Sequence, residues 1–217
     1  MIKIQTFSNR LQAVESHRPQ KGKLLDVGCA EGLLVKTALA RGWDAYGIDI
    51  SEFAIDEARQ SLGDRVCVGI LESSPFLQGT FDAIFLSDMI EHVHDPQSVL
   101  THVTELLKDQ GHLFIETPNV SGMLRKLMGH RWPHYHVPEH LVYFSPKNLE
   151  DLLKRNGFET VHWQASWKAL TWNYVMDKLA VNHPRMIRLI KPFGVWFGDR
   201  NLWIPAGSFW SISVKSG

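Results

Sequence analysis

A chain of 217 residues is long enough for one α/β domain with a substantial core and too short for two comfortable ones. Lys plus Arg equals Asp plus Glu at 23 each, so no global charge argues for nucleic acid as a partner. The two cysteines, Cys29 and Cys67, give no disulfide framework and suit a reducing cytosol; no apolar run approaches membrane-spanning length, and MIKIQTFSNR lacks a signal-peptide core, so a soluble cytoplasmic protein is expected.

In chain order, the patterning predicts a helix over 5–17, a strand over 23–27, a helix over 31–41 and a strand over 44–49. A helix over 52–62, a strand over 65–69 and a strand over 81–87 follow. The chain continues with a helix over 97–108, a strand over 112–117, a helix over 146–156 and a strand over 158–164. A last strand, 209–214, is placed at the sheet edge. Strands alternating with helices predict a doubly wound, mainly parallel sheet. Gly111 and Gly157 are placed as helix C-caps, and Ser145-Pro146 as an N-cap followed by proline at N1.

The richest stretch is KLLDVGCAEGLLVKTALARGWDAYGIDIS, residues 23–51. An apolar strand ends in the turn Gly28-Cys29-Ala30-Glu31-Gly32, a helix follows, and a second strand ends on Asp49. Two glycines let backbone approach a ligand, the helix start offers unpaired N–H groups, and a carboxylate about 20 residues on is placed to hold ribose hydroxyls. The unit predicts a nucleoside-containing cofactor. A dinucleotide fits poorly, because G-x-G-x-x-G is absent and Glu31 would repel a pyrophosphate.

The run D-V-G-C-x-x-G from Asp26, with G-I-D-I at 47–50, resembles class I S-adenosylmethionine-dependent methyltransferases. FDAIFLSDMIEHVHDP, residues 81–96, resembles the fourth strand of the ubiquinone-biosynthesis and related small-molecule members. GHRWPHYHVPEHLVYFSP, residues 129–146, resembles their loop after the fifth strand, and Glu116-Thr117-Pro118-Asn119 matches as well. The resemblance covers residues 20–165 and the last strand. It implies a Rossmann-like class I methyltransferase fold, with a seven-stranded mixed sheet, helices on both faces and a final antiparallel strand. Two positions depart from it: Ala30 replaces a glycine of the turn, and Ile70 stands where an acid often holds the adenine amino group.

The implied cofactor is S-adenosyl-L-methionine, and the implied reaction is methyl transfer to an oxygen, less readily a nitrogen, of a small molecule. Asp26, Gly28, Cys29, Ala30 and Gly32 would shape its methionine end, Asp49 would hold ribose, and Ile50 and Leu71 would pack adenine. Ser87 and Asp88 would line the site. Eight of eleven histidines fall between 92 and 140, and a histidine near neutral pH suits removal of a proton from a hydroxyl being methylated. His140 is the first candidate base, followed by His136 and His92; Glu139 could orient an imidazole and Arg131 could hold an acidic substrate group. No metal is assigned. Zinc at His134, His136 and His140 lacks the usual spacing, and the E-x-x-E-H set thought to bind a divalent ion in some relatives begins here with Asp88.

Residues 165–207 break the alternation. They hold Trp167, Trp172, Trp196 and Trp203, and between 165 and 200 six Lys/Arg face two acids. They are read as a substrate-covering insertion before the last strand of a single domain spanning 1–217. A packed helical pair and a peripheral membrane-surface element are the two forms it could take. The acceptor is left as a sugar, a quinone precursor or a lipid-linked molecule. The rival functions are an NAD-type binding protein and a non-catalytic partner that keeps the fold.

Overall fold

The computed structural model describes residues 2–135, 138–171 and 201–216. Seven strands form one sheet: β1 (Lys23–Val27), β2 (Asp44–Asp49), β3 (Val66–Val68), β4 (Phe81–Ser87), β5 (Leu107–Pro118), β6 (Phe158–Thr171) and β7 (Asn201–Lys215). Their order is β3-β2-β1-β4-β5-β7-β6; β1 to β5 pair in parallel, and β7 runs antiparallel between β5 and β6. The chain moves outward from β1 to β3 and then returns to β4 on the other side. This leaves a crevice at the carboxyl ends of β1 and β4, where open α/β sheets take ligands.

The strand period sends neighbouring residues to opposite faces. Leu25, Ile84 and Leu113 belong to one core, closed by α4 (Pro96–Leu106) and α6 (Pro146–Arg155) through Val99, Leu100, Val103, Leu149 and Leu153. Leu24, Phe85 and Phe114 belong to the other, closed by α1 (Ile2–His17), α2 (Leu33–Ala40) and α3 (Glu52–Leu62) through Leu11, Val14, Val35, Ile55 and Ala58. Each helix buries an i, i+3, i+4 stripe, and full burial of such side chains contributes about 1.5–3 kcal/mol apiece.

Local chemistry sets the helix starts. Asp95 accepts from the N–H of Gln97 at 2.9 Å and of Ser98 at 3.2 Å, with Pro96 next. Ser145 and Asn148 form a reciprocal capping box before α6, with Pro146 at the first helical position. Gly157, at φ 76, follows α6 in the left-handed conformation of a C-terminal stop.

Gly111 does not act that way. Helix α4 ends at Leu106, and Leu107 already pairs with Phe81 in β5. Residues 108–110 bulge outward, with Gln110 at φ 59, before His112 resumes pairing with Ala83. A Cβ on Gly111 would lie 2.8 Å from the Lys108 carbonyl oxygen, so the glycine serves a tight bulge. Strand β5 therefore begins five residues before the predicted 112. A short α5 (Met123–Met128), absent from the sequence reading, follows β5. Strands β6 and β7 extend as a hairpin well past 164 and before 209, so 165–171 and 201–207 are strand and not helix. The remainder of the segment, 172–200, lies outside the described residues.

At the amino end of the sheet, buried Asp82 ties three elements together. It accepts from the Lys23 N–H at 2.8 Å and Lys108 Nζ at 2.8 Å, and it pairs with Arg18 at the end of α1. Burial pushes its carboxyl up, but the Lys108 and Lys23 bonds and Arg18 outweigh it and hold the group below the usual range. A cleft of about 420 Å³ beside it is lined by Lys21, Asp44 and Lys108 among others. Its charges already answer one another, so it is a structural junction far from the crevice.

Candidate active site

The turn after β1 is built on two left-handed glycines, Gly28 at φ 76 and Gly32 at φ 71. A side chain on Gly28 would reach 3.2 Å from Met89 Cγ, and one on Gly32 2.3 Å from Leu62 Cδ1. The turn is bolted to β2: the N–H groups of Gly28 and Cys29 reach the Ile48 carbonyl at 2.8 and 3.2 Å. Asp49 completes it, accepting from the Ala30 N–H at 2.8 Å with one oxygen and from the Ser51 N–H at 2.9 Å with the other. Each carboxylate oxygen keeps a lone pair, and the group is fixed where ribose hydroxyls would be met.

The other members of this set take more specific places. Cys29 is buried against Gly47, where a Cβ would lie 2.6 Å from Cys29 Sγ, so only its backbone faces the turn. Burial pushes its thiol well up, which makes it inert. Gly47 had no role in the sequence reading; the contact shows why β2 carries glycine there. Ala30 sits at φ 44, in the left-handed region that favours glycine. Ile50 and Ile70 stand 74% and 49% exposed at the ends of β2 and β3, apolar faces that a purine could cover. Leu71 instead buries its side chain in the core.

Charge is concentrated beneath the crevice. Arg10 of α1 is buried and ion-paired with Glu116 of β5, which also accepts from Ser166 Oγ at 2.9 Å. Burial raises the Glu116 carboxyl against the opposing pull of Arg10. Asp26 is buried too and pushed up to about 8, by desolvation first, with Arg10 opposing and Asp49 adding. Asp88, at φ 51, caps β4 and donates its N–H to the Glu116 carbonyl at 2.9 Å. The Ser87 hydroxyl is buried without a partner among the described residues. Arg10 was missed because it lies outside the resembling segment. The available signal was an arginine beside Leu11 and one turn before Val14, on the apolar side of its helix.

Beyond β4 the sequence candidates converge. Glu91 is buried, accepts from Thr117 Oγ1 at 2.9 Å, and is pushed up to about 7 by desolvation, with Asp88 nearby. Its carbonyl receives the N–H groups of Leu141 and Val142 at 2.8 and 3.1 Å, which fastens the later loop to this point. His92 Nδ1 bonds the Glu139 carbonyl at 2.9 Å, so Glu139 uses its backbone there. The rings of His92 and His140 meet edge to face with centroids 4.7 Å apart. Glu91, His92 and His140 bring donor atoms within 4.8 Å of one another. His136 lies outside the described residues. From His140 a run of rings continues through Tyr143, Tyr135 and Trp132, with centroid steps of 6.1, 5.2 and 5.2 Å.

This arrangement has relatives. The methyltransferase domain family matches residues 4–163. A ubiquinone biosynthesis O-methyltransferase of Chromobacterium violaceum is 35% identical over 161 residues, 68% of this chain and 69% of that protein. One from Ralstonia nicotianae is 28% identical over 194 residues, 83% of this chain and 80% of its own. Among solved structures, a SAM-dependent methyltransferase from Archaeoglobus fulgidus superposes with a TM-score of 0.65 at 22% identity, covering 98% of this chain and 94% of that one. Phosphoethanolamine N-methyltransferase 2 of Haemonchus contortus, in complex with S-adenosyl-L-methionine, gives 0.59 at 16% identity, covering 96% and 52%. The last two show the fold alone. With the glycine turn locked to Asp49, the sheet order and these matches together, the chain belongs to the class I S-adenosylmethionine-dependent methyltransferases.

Proposed function

We propose that this enzyme methylates a hydroxyl oxygen on an aromatic, quinone-precursor type of small molecule. The observation that carries the cofactor half is the Ala30 N–H bond to Asp49, which holds turn and carboxylate as one preformed cradle. Bound S-adenosylmethionine supplies a methyl group already activated on a sulfonium. The Asp88 carboxylate suits a cationic centre, while Arg10 and Glu116 already answer one another. The protein's remaining tasks are in-line positioning and proton removal. His140, braced edge-on by His92 beside Glu91, is the candidate base. The acceptor class rests on the ring-lined wall beyond His140 and on the names of the relatives.

Methyl transfer from labelled S-adenosylmethionine to a catechol tests this reading. His140→Gln should lower kcat by roughly 100-fold or more, the span of general-base catalysis. Unchanged kcat removes the histidine from its role. The same assay with EDTA asks what Glu91, His92 and His140 hold. Activity is expected to survive; loss that magnesium restores would make them metal ligands.

No described helix is long and apolar enough to cross a membrane. Peripheral contact through 165–207 of a cytoplasmic enzyme is the companion proposal. It is supported by the local basic excess and by Trp167, 50% exposed on edge strand β6. Co-sedimentation with anionic but not neutral vesicles is expected, and protein left in the supernatant with both would remove this contact.

A further inference from the structure

The segment after β5 is charged one way. Residues 119–138 contain Arg125, Lys126, Arg131 and three histidines but no Asp or Glu, in a chain whose total charge is zero. It is pinned to the site by the Val120 N–H bond to the Phe144 carbonyl at 2.8 Å and by the bonds of Leu141 and Val142 to Glu91. Arg125 lies at the far end of the ring run that starts at His92. Its Nε donates to the Tyr135 hydroxyl at 2.9 Å, and its guanidinium carbon sits 5.7 Å from that ring's centroid. That bond holds the guanidinium at the hydroxyl end of the ring, and among the described residues its two terminal amino groups have no hydrogen-bond partner. Among the described residues no carboxylate lies within ion-pair reach of Arg125. The Tyr143 hydroxyl, on the ring packed 5.2 Å from Tyr135, is buried and has no hydrogen-bond partner among the described residues. Leaving such a group unpaired costs about 1–3 kcal/mol, which a ligand oxygen would offset.

We infer that Arg125, with Tyr135 and Tyr143, forms an oxyanion subsite, so that the acceptor carries a carboxylate or phosphate set apart from its methyl-accepting hydroxyl. This rests on the acceptor reading above and sharpens it. A planar guanidinium held by an aromatic ring pairs with either group through two parallel N–H bonds.

Binding separates this from catalysis. Calorimetric titrations of 3,4-dihydroxybenzoate, its uncharged amide, phenyl phosphate and phenol are run on the full chain, with and without saturating S-adenosylhomocysteine. At least one anion should bind 10-fold or more tightly than its neutral counterpart, and which one does identifies carboxylate or phosphate. Arg125→Gln should erase that preference, Arg125→Lys should keep part of it, and Tyr143→Phe should lower anion affinity alone. Equal affinity for anion and neutral probe, no binding of any probe, or a preference that survives Arg125→Gln in a variant with unchanged thermal midpoint would overturn the subsite. Failure of S-adenosylhomocysteine to bind is a separate result: it strikes the cofactor reading, while the titrations without it still report on Arg125.

Discussion

Ala30 is the residue where sequence and backbone disagree most openly. At φ 44 it holds a conformation that costs an L-residue about 1–2 kcal/mol, and its N–H must stay there to reach Asp49. Ala30→Gly should therefore raise the unfolding free energy measured in urea by up to about 1 kcal/mol once the added chain entropy is deducted. A lower midpoint would mean that the methyl group packs more than it strains. Asp49→Ala removes an acceptor for two N–H groups and for the ribose together. It should weaken S-adenosylhomocysteine binding by about 1.5–3 kcal/mol, the range for hydrogen bonds to a charged group. Asp26 carries a pH signature. Its folded pKa, about 8, lies above its unfolded value, so the folded state binds the extra proton. That stability is fully present below about pH 4 and is lost as pH rises through 8. Asp26→Asn should flatten the fall in urea midpoint between pH 5 and pH 8.5; an unchanged slope would reassign it to other groups.

At the scale of elements, α1 does more than cover the sheet. It delivers Arg10, midway along it, to buried Glu116, and Arg18, the residue after its last turn, to Asp82. Removing one partner of a buried pair costs about 3–5 kcal/mol, so Arg10→Ala should lower stability by about that amount and loosen the crevice floor. A loss under about 1 kcal/mol would show Glu116 protonating without strain. The carboxyl end of α1 also faces His112, which burial and nearby Arg18 keep below the usual histidine range. Here the sign reverses: the unfolded chain binds the proton more readily, so stability falls as pH drops below about 6.5. What was legible follows the same division. The strand-turn-helix-strand of 23–51 could be read because its glycines, cap and acid act within one short unit. Strand β5 was misjudged because a bulge and a C-cap both ask for glycine, and only the pairing of Leu107 with Phe81 decides between them. Arg10 and Glu116, or Glu91 and His140, meet through the fold across long stretches of chain, and no local pattern announces that.

For the whole molecule, the crevice is where the outward and returning halves of the sheet part. The glycine turn and Asp49 come from the β1–β2 side, and Asp88, Glu91 and His92 from β4. The loop bearing His140 is fastened across the crevice by backbone bonds to Glu91. Such a preformed cradle binds its ligand with little rearrangement, so affinity should report the fit directly. The most direct measurement is calorimetric titration of the purified chain with S-adenosylhomocysteine and, separately, with NAD. A saturable heat with micromolar affinity for S-adenosylhomocysteine and none for NAD is the predicted result. Binding of NAD with no response to S-adenosylhomocysteine would contradict it.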